Sequence, residues 1–169
     1  EFLRQAIELA HQHGALFIID EMITGFKTDF PGSIKRYNLQ PDMATWGKGI
    51  ANGFSFCALT GKKEVMELGS IHRKGMEKVF LISTTHGGET HAIGAGLASI
   101  KFYQENNVIE KAHTTGKQVI EGARQILYEL GLGDCIQVSS SAWMPAFVFK
   151  NNSGTPDPGM RTLFLQEMI

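Results

Sequence analysis

The most suggestive residue in the chain is Lys48, set between two glycines in Trp46-Gly47-Lys48-Gly49. Flanking glycines leave space beside the backbone, which a lysine bonding a bulky aldehyde needs and a solvated lysine does not. The amine must also be partly neutral to attack, and a desolvated pocket favours the neutral form. The same residues suit a lysine in an ordinary glycine-rich turn. Lys48 alone decides nothing.

Asp20 supplies a second group. It follows Ala15-Leu16-Phe17-Ile18-Ile19, a short apolar run that reads as a buried parallel strand. A carboxylate at the C-terminal end of such a strand lies where open α/β sheets bind ligands. Against a pyridine nitrogen it would keep that nitrogen protonated, and a protonated ring is an electron sink. A turn former or N-cap at this place would be a purely structural aspartate. The third group is Thr84-Thr85-His86-Gly87-Gly88-Glu89-Thr90. Hydroxyls and glycines ahead of a predicted helix suit a phosphate, held by backbone N–H groups and the helix dipole. An ordinary helix start with Thr90 as N-cap fits the same residues. An imine-forming lysine, a carboxylate for a ring nitrogen and a phosphate-suited helix entry are together the parts of a pyridoxal 5'-phosphate (PLP) site.

These residues must be placed by the elements around them. Leu3, Ala6, Ile7 and Ala10 have the spacing of one helix face, with Gly14 as the stop. Helix, tight turn and buried strand suggest an α/β unit. The stretch from Thr24 to Pro41 reads as irregular. Asp42 to Trp46 and Phe54 to Thr60 read as strands, and Lys63 to Leu68 as a short helix. His91 to Tyr103 is apolar or small nearly all round, which predicts a buried helix. Val108 to Leu130 carries the longest helical period and ends at Gly131-Leu132-Gly133. Ile136 to Val138 and Ala146 to Phe149 read as strands, and Asn151 to Gly159 as a polar loop. A change of character near Asn106 predicts a domain division into 1–105 and 106–169.

Composition narrows the function classes. The chain has 169 residues, 43% of them hydrophobic and 20% charged, as in ordinary globular proteins. A formal net charge of −1 gives no electrostatic reason for nucleic acid or an anionic membrane. No apolar run approaches the roughly 18 residues of a bilayer span. Cys57 and Cys135 are too few for a disulfide scaffold and suit a reducing cytoplasm. The chain starts inside an amphipathic pattern and stops inside an apparently helical one, so it is expected to be a fragment of a longer polypeptide. Gly61-Lys62-Lys63 lacks the remainder of a P-loop. His11 and His13 point to different helix faces, and His86 and His91 lack a third ligand nearby, so no metal site is expected. Arg73, Lys74 and Lys78 read as a solvated basic face. Trp143 and Phe147 to Phe149 read as core of the second domain.

Three strings taken together resemble a known family. They are Ile18-Ile19-Asp20-Glu21-Met22-Ile23-Thr24-Gly25-Phe26, Pro41-Asp42 through Gly47-Lys48-Gly49 to Gly53, and Thr85-His86-Gly87-Gly88-Glu89-Thr90. In order and spacing they resemble the class III PLP-dependent aminotransferases of fold type I, and within them most of all glutamate-1-semialdehyde 2,1-aminomutase and its relatives. The resemblance implies that Lys48 forms a Schiff base with PLP and that Asp20 meets the pyridine nitrogen. It implies that Met22 stands where a valine usually packs on the ring face. It implies that Thr85 reaches the cofactor phosphate of a neighbouring subunit, in a homodimer with shared sites. Residues 1–105 would then be part of the large PLP-binding domain, and 106–169 the start of the small C-terminal α+β domain. Glu89-Thr90 stands where many members have Asn-Pro. The expected activity is amino-group transfer, aminomutase-like or intermolecular, on a small amine, amino acid or aldehyde. A non-catalytic α/β module and a PLP decarboxylase or racemase on the same fold stay open at this point.

Overall fold

The computed structural model describes residues 1–79, 85 and 87–169, in two compact units, Glu1–Ile109 and Glu110–Ile169. In the first unit, α1 (Phe2–Gln12) turns Ile7 inward onto Ile19 and Leu39. The Ala15 N–H returns to the Ala10 carbonyl at 2.9 Å, which closes the helix over Gly14 at φ +67°. β1 (Ile18–Asp20) follows at once and runs parallel to β2 (Met43–Trp46), which pairs antiparallel with β3 (Ala58–Gly61).

The expected third strand is shorter than its apolar run, beginning at Ala58 rather than Phe54. Asn52 at φ +43° and Gly53 at φ +115° are successive left-handed residues, and they turn the chain before it can extend. The stretch read as irregular contains a four-residue helix, α2 (Ser33–Arg36). The short helix expected after β3 is α3 (Lys63–Met66), prolonged by a 3-10 turn at Glu67–Gly69.

Phe26, Ala44, Trp46, Ile50 and Ala51 form the core beside the sheet. Phe26 meets the rings of Phe30, Trp46 and Tyr103 edge-on, with centroids 5.4, 6.4 and 5.3 Å away. Tyr103 comes from α4 (Thr90–Glu105), which is not the buried helix its composition predicts. Only Ala92 and Gly96 are buried, while Leu97 is 63% and Phe102 58% exposed. The face carrying Ala92, Ala95, Ile100 and Tyr103 serves the core, and the remaining apolar residues have no cover among the described residues.

The second unit is built from α5 (Val108–Glu129), the antiparallel pair β4 (Ile136–Val138) and β5 (Phe147–Phe149), and α6 (Pro158–Glu167). Its core joins Ile120, Leu127, Ile136, Val138 and Phe149. A Cβ on Gly116 would stand 1.8 Å from the Ala142 carbonyl oxygen, so only glycine admits that approach to α5. Of the aromatics expected in this core, Phe149 is buried, Trp143 is half-buried and Phe147 is 38% exposed. α6 starts on Asp157, whose side chain accepts the Met160 N–H at 2.9 Å, with Pro158 opening the helix. No helix of the described residues is long and apolar enough to cross a membrane.

Candidate active site

Because β1 and β2 are parallel, their C-terminal ends open on one side of the sheet, and Asp20 stands opposite Thr45 in the register. Oδ1 of Asp20 accepts the Thr45 hydroxyl at 3.0 Å and the Met22 N–H at 2.9 Å. The second of these bonds is the local turn contact typical of aspartate. Asp20 is exposed, and its Oδ2 has no hydrogen bond among the described residues. The carboxylate is therefore oriented through one oxygen and offers the other.

Lys48 stands just past the end of β2, at the start of a 3-10 turn (Lys48–Ile50). Its φ of +48° lies in the left-handed region, which costs a non-glycine residue about 1 kcal/mol or more. The side chain is exposed and pairs with no described carboxylate. Both flanking glycines are approached closely by the loop after β1. A Cβ on Gly47 would lie 2.3 Å from Met22 Cε and 2.7 Å from Met22 Sδ. A Cβ on Gly49 would lie 3.1 Å from Phe26 Cβ. The space beside Gly47 is thus taken by Met22, a flexible thioether that can give way.

Two carboxylates to which the sequence reading gave no role hold this arrangement. Glu21, next to Asp20, is fully buried. Its Oε1 accepts the Ser33 hydroxyl and the Ile34 N–H, each at 2.7 Å, and its Oε2 accepts the Ser33 N–H at 3.1 Å and the Thr24 hydroxyl. Asp42, ahead of β2, is also buried. Lys62 Nζ lies 2.7 Å from its Oδ1, while His11 Nε2 at 2.8 Å and the Phe17 N–H at 2.7 Å share Oδ2. The hydrogen bond from the Lys62 ammonium, followed by the Phe17 N–H, holds the Asp42 carboxyl well below the usual carboxylate range, against the opposing effect of burial; His11 adds to the lowering. The signal for both was present in the sequence, as acidic residues directly flanking apolar strands.

Thr85 is exposed and lies in a turn upstream of α4. Thr84 and His86, which belong to the same string, lie outside the described residues. Glu89, not Thr90, is the N-cap residue of α4, and it makes no side-chain capping bond. Thr90 already has helical geometry, so its hydroxyl does not serve as the cap. His91 Nε2 approaches Glu89 Oε2 at 3.3 Å, and His11 is committed to Asp42.

Residues 1–132 match the family described as aminotransferase class-III. The chain belongs to that family. Among class-III relatives, it is 28% identical over 168 residues to a 3-aminobutyryl-CoA aminotransferase of Cloacimonas acidaminovorans, covering 99% of this chain and 38% of the relative. It is 35% identical over 136 residues to a glutamate-1-semialdehyde 2,1-aminomutase of Methanosphaera stadtmanae, covering 78% of this chain and 29% of the relative. The chain thus spans about a third of the length of the curated relatives it matches. A Sphingopyxis FumI protein, solved in a PLP internal aldimine form, superposes with a TM-score of 0.75 at 21% identity over 89% of this chain and 34% of that one. The class-III chain therefore has part of the fold type I architecture of PLP transaminases.

Proposed function

We propose that this chain contributes to a PLP-dependent amino-transfer site in which Lys48 bonds the cofactor and Asp20 meets its pyridine nitrogen. The observation that carries the reading is the pairing of two strand ends. β1 ends on a carboxylate whose Oδ2 has no hydrogen bond among the described residues, and parallel β2 leads into an exposed lysine held in the left-handed region. These groups fit PLP, which needs one amine for its aldehyde and one acid for its ring nitrogen.

When bound, PLP supplies the electron sink that makes a proton on the amine-bearing carbon of a substrate removable. Lys48 Nζ would hold the cofactor by its aldehyde carbon and, when free, would take and return the substrate-carbon proton. Asp20 Oδ2 keeps a proton on the ring nitrogen, while Thr45 and the Met22 N–H fix the carboxylate through Oδ1. Met22, whose side chain lies against Gly47, would pack on a ring face. Thr85 donates to the cofactor phosphate of a neighbouring subunit, so the working unit is a homodimer with shared sites. Residues 1–105 form part of the large cofactor domain and 106–169 begin the small one. The substrate is a small amine, amino acid or aldehyde, and the two free cysteines support a cytoplasmic setting.

The test is made on the complete gene product supplied with PLP. The reading expects a yellow protein that bleaches with borohydride and moves amino groups from amines to carbonyl acceptors, or within one molecule. Loss of carbon dioxide or racemisation as the only reaction would replace amino transfer with the other chemistries of this fold. A colourless protein with no PLP uptake would make the chain a non-catalytic module.

A further inference from the structure

We infer that Glu21 is a positioning residue that holds the Lys48 turn and the Asp20 strand end in register, an inference that rests on the roles proposed above. Asp20 and Glu21 are neighbours with opposite duties. Asp20 is exposed at the strand end, while Glu21 is fully buried and gathers the following loop. The Glu21 N–H donates to the Thr45 carbonyl at 2.9 Å, continuing the β1–β2 pairing past Asp20. Its own carbonyl accepts the Gly25 N–H at 2.9 Å, and its carboxylate takes the four donors from Thr24, Ser33 and Ile34. A Cβ on Gly32 would lie 2.6–2.9 Å from that carboxylate, so the loop closes on it without a side chain between.

The loop so held is the one that packs on the lysine turn. A Cβ on Gly25 would lie 3.0 Å from the Trp46 ring, and the Phe26 side chain abuts Gly49, the residue after Lys48. Phe26 is itself at φ +62°, with its N–H bonded to the Pro31 carbonyl at 2.8 Å and its carbonyl to the Tyr103 hydroxyl at 3.0 Å. Contacts therefore run from the Glu21 carboxylate through residues 24–34 to Gly49 and to the Trp46 ring, on either side of Gly47 and Lys48.

Each Glu21 oxygen accepts one hydroxyl and one backbone N–H. In Glu21→Gln one oxygen becomes an NH2 group. A hydroxyl can turn and accept from it, but a backbone N–H cannot, so either Ser33 or Ile34 loses its acceptor in a buried place. The loop then shifts to find another partner, and the lysine turn shifts with it.

The experiment uses the complete gene product and compares wild type, Glu21→Gln, Ser33→Ala and Leu127→Ala. Leu127 lies in the core of the second unit, so its truncation lowers Tm without touching the loop. Two readouts besides turnover are taken: the dissociation constant for PLP, and the pH midpoint of the lysine-bound cofactor's absorbance. Glu21→Gln is expected to weaken PLP binding about tenfold or more and to displace the midpoint. Ser33→Ala should move both in the same direction by less, and it carries the test if Glu21→Gln does not fold. Leu127→Ala should move neither. If the Glu21 and Ser33 variants behave like Leu127→Ala, losing Tm alone, Glu21 is a stability residue and the inference fails. If wild type takes up no PLP, or Lys48→Ala takes it up with unchanged absorbance, the proposed site itself is what fails.

Discussion

Thr45 stands opposite Asp20 across β1 and β2, and its hydroxyl donates to Asp20 Oδ1 at 3.0 Å. The strand register therefore places the hydroxyl that fixes one oxygen of the carboxylate. Thr45→Val keeps the shape and removes the donor, leaving the Met22 N–H as the remaining bond to Oδ1. It should slow substrate proton abstraction up to about tenfold, or ~1.4 kcal/mol of barrier. Asp20→Asn, which cannot keep a ring nitrogen protonated, should cost about two orders of magnitude or more. Single-turnover absorbance changes measure both. Equal rates for Asp20→Asn and wild type would remove Asp20 from the mechanism.

Gly47 and Met22 form a second testable pair. A methyl group on residue 47 would meet Met22 Cε at 2.3 Å, so Gly47→Ala should displace the Met22 side chain and disturb the Lys48 turn. Cofactor retention should fall in Gly47→Ala and recover substantially in Gly47→Ala combined with Met22→Ala, which vacates the space. A double variant no better than the single one would show that residue 47 matters for its backbone and not for this contact.

Asp42 sets an acid limit on the first unit. Its carboxyl is held below the usual range chiefly by the Lys62 ammonium. A carboxylate with a depressed folded-state pKa contributes stability that is complete above its unfolded value, about 3.9, and is lost as pH falls through the folded one. Wild type should therefore lose stability on acidification below about pH 4. Asp42→Asn should be less stable at neutral pH by about 1–3 kcal/mol and flatter through the acid range. Denaturant melts from neutral to acid pH measure both curves. Parallel curves would mean that ionisation of Asp42 adds no stability through the His11–Asp42–Lys62 cluster.

Much of this was legible in the sequence, for physical reasons that differ by element. β2 and β4 announce themselves as short apolar runs with polar ends, and α5 because its apolar period is long; β1 falls where expected but buries only Ile19, with Leu16 and Ile18 more than half exposed. Two things were not legible. The buried face of α4 could not be chosen, because small and apolar residues surround the whole helix and only tertiary packing selects Ala92 and Gly96. The glycines around Lys48 read as space for a ligand, whereas the loop after β1 occupies much of that space through Met22 and Phe26. Local sequence cannot reveal an approach between segments 25 residues apart in the chain, such as Met22 and Gly47. Glu21 was only half legible: its place beside an apolar strand marked it, but two of its three partner residues, Ser33 and Ile34, lie 12 and 13 residues away on α2.

If Lys48 is the cofactor's lysine as proposed, no other lysine of the chain bonds PLP. The direct measurement is to load the complete gene product with PLP, reduce with borohydride, digest, and map the modified residue by mass spectrometry. One modified peptide, containing Lys48, is expected in wild type and none in Lys48→Ala. Lys62 should stay unmodified because its ammonium is engaged by Asp42, 2.7 Å away. Label on Lys62 or Lys63 in wild type, or the same extent of label in Lys48→Ala, would contradict it.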